Sequence, residues 1–75
     1  MKREPVDSSM IASVGYDPAA KLLEVEFNSG KIYQYKGVSE EVYAGLMGAG
    51  SKGQYMLGSI IDMYPTSQVR SRSRY

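Results

Sequence analysis

Residues 23–36 read LEVEFNSGKIYQYK, two runs of alternating character around a short polar break. Leu23, Val25 and Phe27 alternate with Glu24 and Glu26, the period of a strand with one buried face. Asn28-Ser29-Gly30 then breaks the pattern, and Lys31 to Lys36 resumes it. A three-residue loop with Gly30 in the left-handed region is expected, because such a hairpin needs a residue there without a Cβ. That loop sets Phe27 opposite Lys31, Val25 opposite Tyr33 and Leu23 opposite Tyr35. The apolar residues of both strands then share one face, and Glu24, Glu26, Ile32 and Gln34 form a second face expected to be mostly wet.

Upstream, Val6 to Tyr16 carries Met10, Ala12, Val14 and Tyr16 at period two, a further strand ending at the Asp17-Pro18 turn signal. Pro18 to Lys21 is the connecting loop. Downstream of Gly37 and Val38 the period changes to that of a helix. Ser39 is placed to cap it, Glu40 and Glu41 suit the positive end of its dipole, and Val42 with Leu46 and Tyr43 with Met47 are i, i+4 pairs. Gly48-Ala49-Gly50 stops this helix, Ser51 caps a second one expected to run to about Tyr64, and Pro65 ends it. The fold class expected is α+β: a three-stranded antiparallel meander followed by two helices packed on one of its faces. The organisation expected is an N-terminal tail over 1–5, one domain over 6–65, and a flexible Arg/Ser-rich tail over 66–75.

A chain of 75 residues is one small domain, and its composition excludes whole classes of chemistry. With no Cys and no His there is no thiol nucleophile, no imidazole base and no zinc site of the nitrogen and sulfur kind. No cofactor and no metal are expected, nor is catalysis, which would fall to Tyr, Lys and carboxylates alone. Glu24 and Glu26 share a strand face but read as a solvated surface that protects the sheet from aggregation. The longest apolar run is cut by Asp62 and the first residues are charged, so a cytoplasmic protein without signal peptide or membrane partner is expected. Net charge is +1, but residues 6–65 hold four Lys against seven acids, while Arg70, Arg72 and Arg74 concentrate positive charge at the end.

Gly48-Ala49-Gly50-Ser51-Lys52-Gly53 spells the dinucleotide fingerprint G-x-G-x-x-G, but no strand precedes it and no acid follows at the required distance. Nor is it a phosphate-binding P-loop, since Lys52 follows Ser51 rather than preceding it. What it offers is Ser51, Lys52 and the first amides of a helix as a place for one phosphate, or simply a capped turn. Tyr33 and Tyr35 are either a stacking platform for bases or core residues with hydroxyls at the rim. Five Met residues, among them Met10, Met47, Met56 and Met63, suit either core filling or a subunit interface.

Asp7-Ser8-Ser9, Gly15-Tyr16-Asp17, Leu23 to Phe27 with Gly30, Tyr33-Gln34-Tyr35, and Ser51-Lys52-Gly53-Gln54-Tyr55 followed by Ile60 and Tyr64 resemble the KTSC domain. That family takes its name from the C-terminus of some lysyl-tRNA synthetases and also occurs alone in bacterial and phage proteins. The resemblance covers about residues 6–65 and implies the fold above; RNA binding has been suggested for the family. The expectation is a non-enzymatic binding module for a ligand with phosphates and bases, single-stranded RNA first. Lys31, Tyr33, Tyr35, Lys36, Ser51, Lys52 and Tyr55 would hold it, with help from Arg70, Arg72 and Arg74. The alternatives are a homo-oligomer that sequesters a soluble, cyclic nucleotide signal, and a protein-protein module.

Overall fold

The computed structural model describes residues 2–69. Its order is β1 (Glu4–Pro5), β2 (Ile11–Asp17), β3 (Leu22–Phe27), β4 (Ile32–Lys36), α1 (Glu40–Gly48), α2 (Lys52–Ser59) and β5 (Thr66–Val69). The strands form one antiparallel sheet in the order β1-β2-β3-β4-β5.

The central hairpin is as its sequence reads. Leu23 pairs with Tyr35 and Val25 with Tyr33. Gly30 takes a φ of 95°, its N–H donates to the Phe27 carbonyl at 2.8 Å, and the Phe27 N–H donates to the Lys31 carbonyl at 2.9 Å. At the preceding turn the Asp17 carboxylate accepts from the amides of Ala19 and Ala20 at 3.0 and 3.3 Å, so the side chain supplies the turn's hydrogen bonds. Both expected caps also form: Ser39 Oγ accepts from the Val42 amide at 3.2 Å and Ser51 Oγ from the Gln54 amide at 3.4 Å.

Three expectations about the elements are corrected. Among the described residues the sheet has five strands rather than three, because each supposed tail contributes an edge strand. Glu4 and Pro5 pair with Val14 and Ser13. Thr66 to Val69 pairs with Tyr35 to Ile32, so only the part of the C-terminal tail beyond Val69 lies outside the described residues. Second, the strict period two of β2 fails. A bulge between Ile11 and Ser13 inserts one residue, so Ile11 rather than Ala12 pairs with Phe27 and is fully buried in the core. Third, α2 stops at Ser59 instead of reaching Tyr64. Gly58 and Ser59 are weak helix formers, and the helix ends as Ile60, one turn after Met56, buries on the same face.

The core lies between one sheet face and the two helices. Ile11, Val14, Leu23, Val25 and Tyr35 from the sheet meet Val38, Leu46, Met56 and Ile60 from the helical half. The opposite face is drier than its sequence suggests, with Glu24 at 6% and Ile32 at 5% exposure. Arg3, just before β1, is ion-paired to Glu24 across this face and lies 3.9 Å from Glu26. Its Nε donates to Ser13 Oγ at 3.0 Å, while Gln34 Nε2 donates to Glu24 Oε1 at 2.8 Å. A buried carboxylate needs a cation and full hydrogen bonding, and this network supplies both.

Candidate functional site

A cavity of about 360 Å³ opens at one end of the core-side face, lined by Phe27, Ser29, Tyr33, Tyr35, Ile61, Asp62 and Thr66. The hairpin brings Phe27 and Tyr33 together edge to face, their ring centroids 5.8 Å apart at 70°. Both are half-buried, so each ring packs on the core and leaves part of itself towards the opening. Tyr35 lies deeper, at 3% exposure, as part of the core. Burial first, then the neighbouring Tyr33 and Asp62, raise its phenol above the ordinary value of 10.0.

The far wall is the turn that replaces the last part of the expected second helix. The Ile60 and Ile61 amides both donate to the Met56 carbonyl, at 3.0 and 2.7 Å, and the Met63 amide then donates to the Ile60 carbonyl at 3.0 Å. This last bond closes a β-turn with Asp62 in its third position at a φ of 67°. Glycine or asparagine is usual where a turn demands positive φ. Asp62 therefore holds its carboxylate at the cavity at some conformational cost, and among the described residues it is the one charged residue lining it. The Thr66 hydroxyl donates to the Tyr64 carbonyl at 2.9 Å, which leaves its lone pairs free to accept.

The residues singled out from the sequence divide into separate groups. Tyr33 and Tyr35 line the cavity; Lys31 is exposed at the base of the same hairpin, next to Gly30. Lys36 is exposed at the far end of β4, where its amide donates to the Pro65 carbonyl at 3.0 Å. Ser51, Lys52 and Tyr55 do not line the cavity and are engaged elsewhere. Ser51 caps α2, and Lys52 Nζ donates to the Ala49 carbonyl at 3.4 Å, closing the turn between the helices. The Tyr55 ring lies over Gly45 of α1. Arg70, Arg72 and Arg74 lie outside the described residues. Phe27, Ser29, Ile61, Asp62 and Thr66 were not singled out as site residues. Asp62 in particular is hidden by a helical pattern that continues through it, and only its departure from the helix turns it towards the rings.

A second cavity of about 430 Å³ is lined by Tyr16, Pro18, Lys21, Ser39, Glu40 and Glu41. Its ring is already occupied. Tyr16 stacks on Tyr43 with centroids 4.6 Å apart at 10°, and its hydroxyl donates to the Val38 carbonyl at 2.6 Å. Glu40 and Glu41 sit in the first turn of α1, where they suit its dipole. The aromatic cavity is therefore the better candidate.

Sheet, helices and cavity together define a small α+β domain with an aromatic-lined concavity and no helix among the described residues long and apolar enough to cross a membrane. The chain belongs to the KTSC domain family, whose model matches residues 7–64. A crystal structure of a KTSC domain protein from Yersinia pestis is similar over 92% of this chain and 97% of that one, with a TM-score of 0.90 and 39% identity. An uncharacterised protein of Stutzerimonas stutzeri is 47% identical over 55 residues, covering 73% of this chain and 78% of that one. A lysine–tRNA ligase of Nostoc is 43% identical over 63 residues, which are 84% of this chain and 11% of the ligase.

Proposed function

We propose that this domain is a non-enzymatic binding module for a nucleotide-containing ligand, single-stranded RNA first, and that it takes one unstacked base into the cavity of Phe27, Tyr33 and Asp62. The observation that carries this reading is a concave aromatic site at the lower end of the size range of ligand pockets, large enough for one base and closed to a duplex. Sequence-selective RNA recognition commonly works on single strands, with bases splayed out and stacked on aromatic side chains. The similarity to part of a lysine–tRNA ligase adds support, since that relative's name links it to an RNA. The exposed Lys31 beside the hairpin loop is the residue suited to the adjoining phosphate. Lys52, with its ammonium on the Ala49 carbonyl, contributes less to binding than its sequence setting suggests.

A nucleotide-sequestering oligomer is the second reading. It draws support from Leu57 and Met63, which are 57% and 66% exposed and offer apolar surface for a second copy. Titrating the protein with mononucleotides and with single-stranded RNA of increasing length, followed by NMR shifts of the tyrosine rings, separates the two. Affinity that rises with strand length supports the RNA module, and saturation by a mononucleotide at one per site in an oligomer supports sequestration. In either case Tyr33→Ala is expected to weaken binding about tenfold or more, since one base stack contributes about 1 to 3 kcal/mol. Tyr55→Phe should leave it unchanged. Binding that survives Tyr33→Ala intact would remove the cavity from the mechanism.

A further inference from the structure

We infer that the cavity selects guanine, with Asp62 reading the base's N1–H and N2–H donors while its ring lies against Tyr33 and Phe27. The inference rests on the base-binding reading above and adds to it the identity of the base. Three observations carry it. Asp62 is the one charged residue lining the cavity among the described residues, so the site suits a ligand edge that donates hydrogen bonds and repels a phosphate. Asp62 has no ion-pair partner among the described residues, unlike Glu24 and Glu26, which share Arg3. Its backbone stands at a φ of 67°, in a turn position that glycine or asparagine would occupy more easily.

The chemistry of the base edges then decides between the bases. An ionised carboxylate only accepts, and its two oxygens take two parallel N–H donors best. Guanine presents two adjacent donors on its Watson–Crick edge. Adenine and cytosine present one donor beside an acceptor, so a lone pair would face the second carboxylate oxygen. Uracil's single donor lies between two acceptors. The hydroxyls of Ser29 and Tyr33 can each donate or accept, and the Thr66 hydroxyl, already donating to Tyr64, can accept, so they do not reverse this preference.

The test titrates the full-length protein with GMP, AMP, CMP and UMP, following the Tyr33 and Phe27 ring resonances, and repeats the series on Asp62→Asn. Asparagine tolerates positive φ, so this variant keeps the turn while replacing one acceptor by a donor. The expected result is GMP binding about tenfold or more tighter than the other three, and loss of that preference in Asp62→Asn with AMP binding retained. Equal affinity for all four, or a guanine preference that survives Asp62→Asn, would overturn the inference and leave the base-binding module standing. No binding by any of the four would overturn the inference, and no binding of single-stranded RNA either would remove the base-binding reading with it. Displacement of GMP by arginine amide at equal or lower concentration would overturn it in favour of a protein side chain as the natural occupant.

Discussion

Gly45 shows how one missing Cβ shapes the helical half of the molecule. A methyl group built there would lie 2.9 and 3.1 Å from the Cζ and Cε2 atoms of Tyr55, which occupies the space above α1. Helix propensity alone favours alanine over glycine by about 1 kcal/mol inside a helix. The contact reverses that preference, because a rigid ring packed on the core cannot move aside without loss. Gly45→Ala is therefore expected to destabilise the protein by about 1 to 2 kcal/mol in urea unfolding. In a Tyr55→Ala background the same change should become neutral or stabilising, and a penalty that persists there would refute the steric account. Gly30 is the contrasting case, a glycine whose role in a three-residue hairpin loop is legible directly. Gly45 looks like a plain weakness in a helix until its neighbour is seen. Asp62 is equally opaque, since no local signal announces an aspartate at positive φ. Arg3 too reads as one charge in a tail, and its pairing with Glu24 joins residues 21 positions apart.

At the scale of elements, β3 and β4 were legible because two independent signals agree, the alternation of apolar residues and the chemistry of the loop. Strand β5 was not. Thr66-Ser67-Gln68-Val69 has little apolar surface, and three of its four residues are exposed. It pairs through its backbone, and an edge strand needs no hydrophobic side chains to complete a ladder with Ile32 to Tyr35. Amide exchange should rank the strands by their pairing. The amides of β3, bonded on both sides, are expected to exchange slowest, those pairing β4 to β5 at intermediate rates, and those of the two-residue β1 fastest. Hydrogen-exchange NMR reads this order directly. Exchange in β5 as fast as in the Pro18 to Lys21 loop would mean that the ladder to β4 is open in solution.

Over the whole molecule, residues 2–69 carry six Lys and Arg against eight Asp and Glu. Arg3 is committed to Glu24, and Lys52 to the end of α1. That leaves Lys2, Lys21, Lys31 and Lys36 in an acidic body, so the salt response of RNA binding distinguishes a base-reading cavity from a tail-led polyanion contact. With Lys31 alone on a phosphate, the slope of log K against log salt on a single strand should be near −0.7. If Arg70, Arg72 and Arg74 each neutralise a phosphate as well, the slope steepens by about 2. Replacing all three by Gln is expected to flatten the slope without abolishing binding. Complete loss of binding would move the principal site from the cavity to the tail.

The chain's sequence alone specified the hairpin and its register, both helix caps, the α+β class and the family, because each depends on neighbours within a few residues or on a run of matched positions. It also excluded chemistry that needs Cys or His. Tertiary packing was needed for Arg3 to serve Glu24, for a bulge to turn Ile11 inwards, for the Lys52 ammonium to reach the Ala49 carbonyl, and for Asp62 to line one cavity with Phe27 and Tyr33. Those outcomes depend on which distant segments compete for the same space and the same hydrogen bonds. Local periodicity carries no information about that competition, and the cavity is its product.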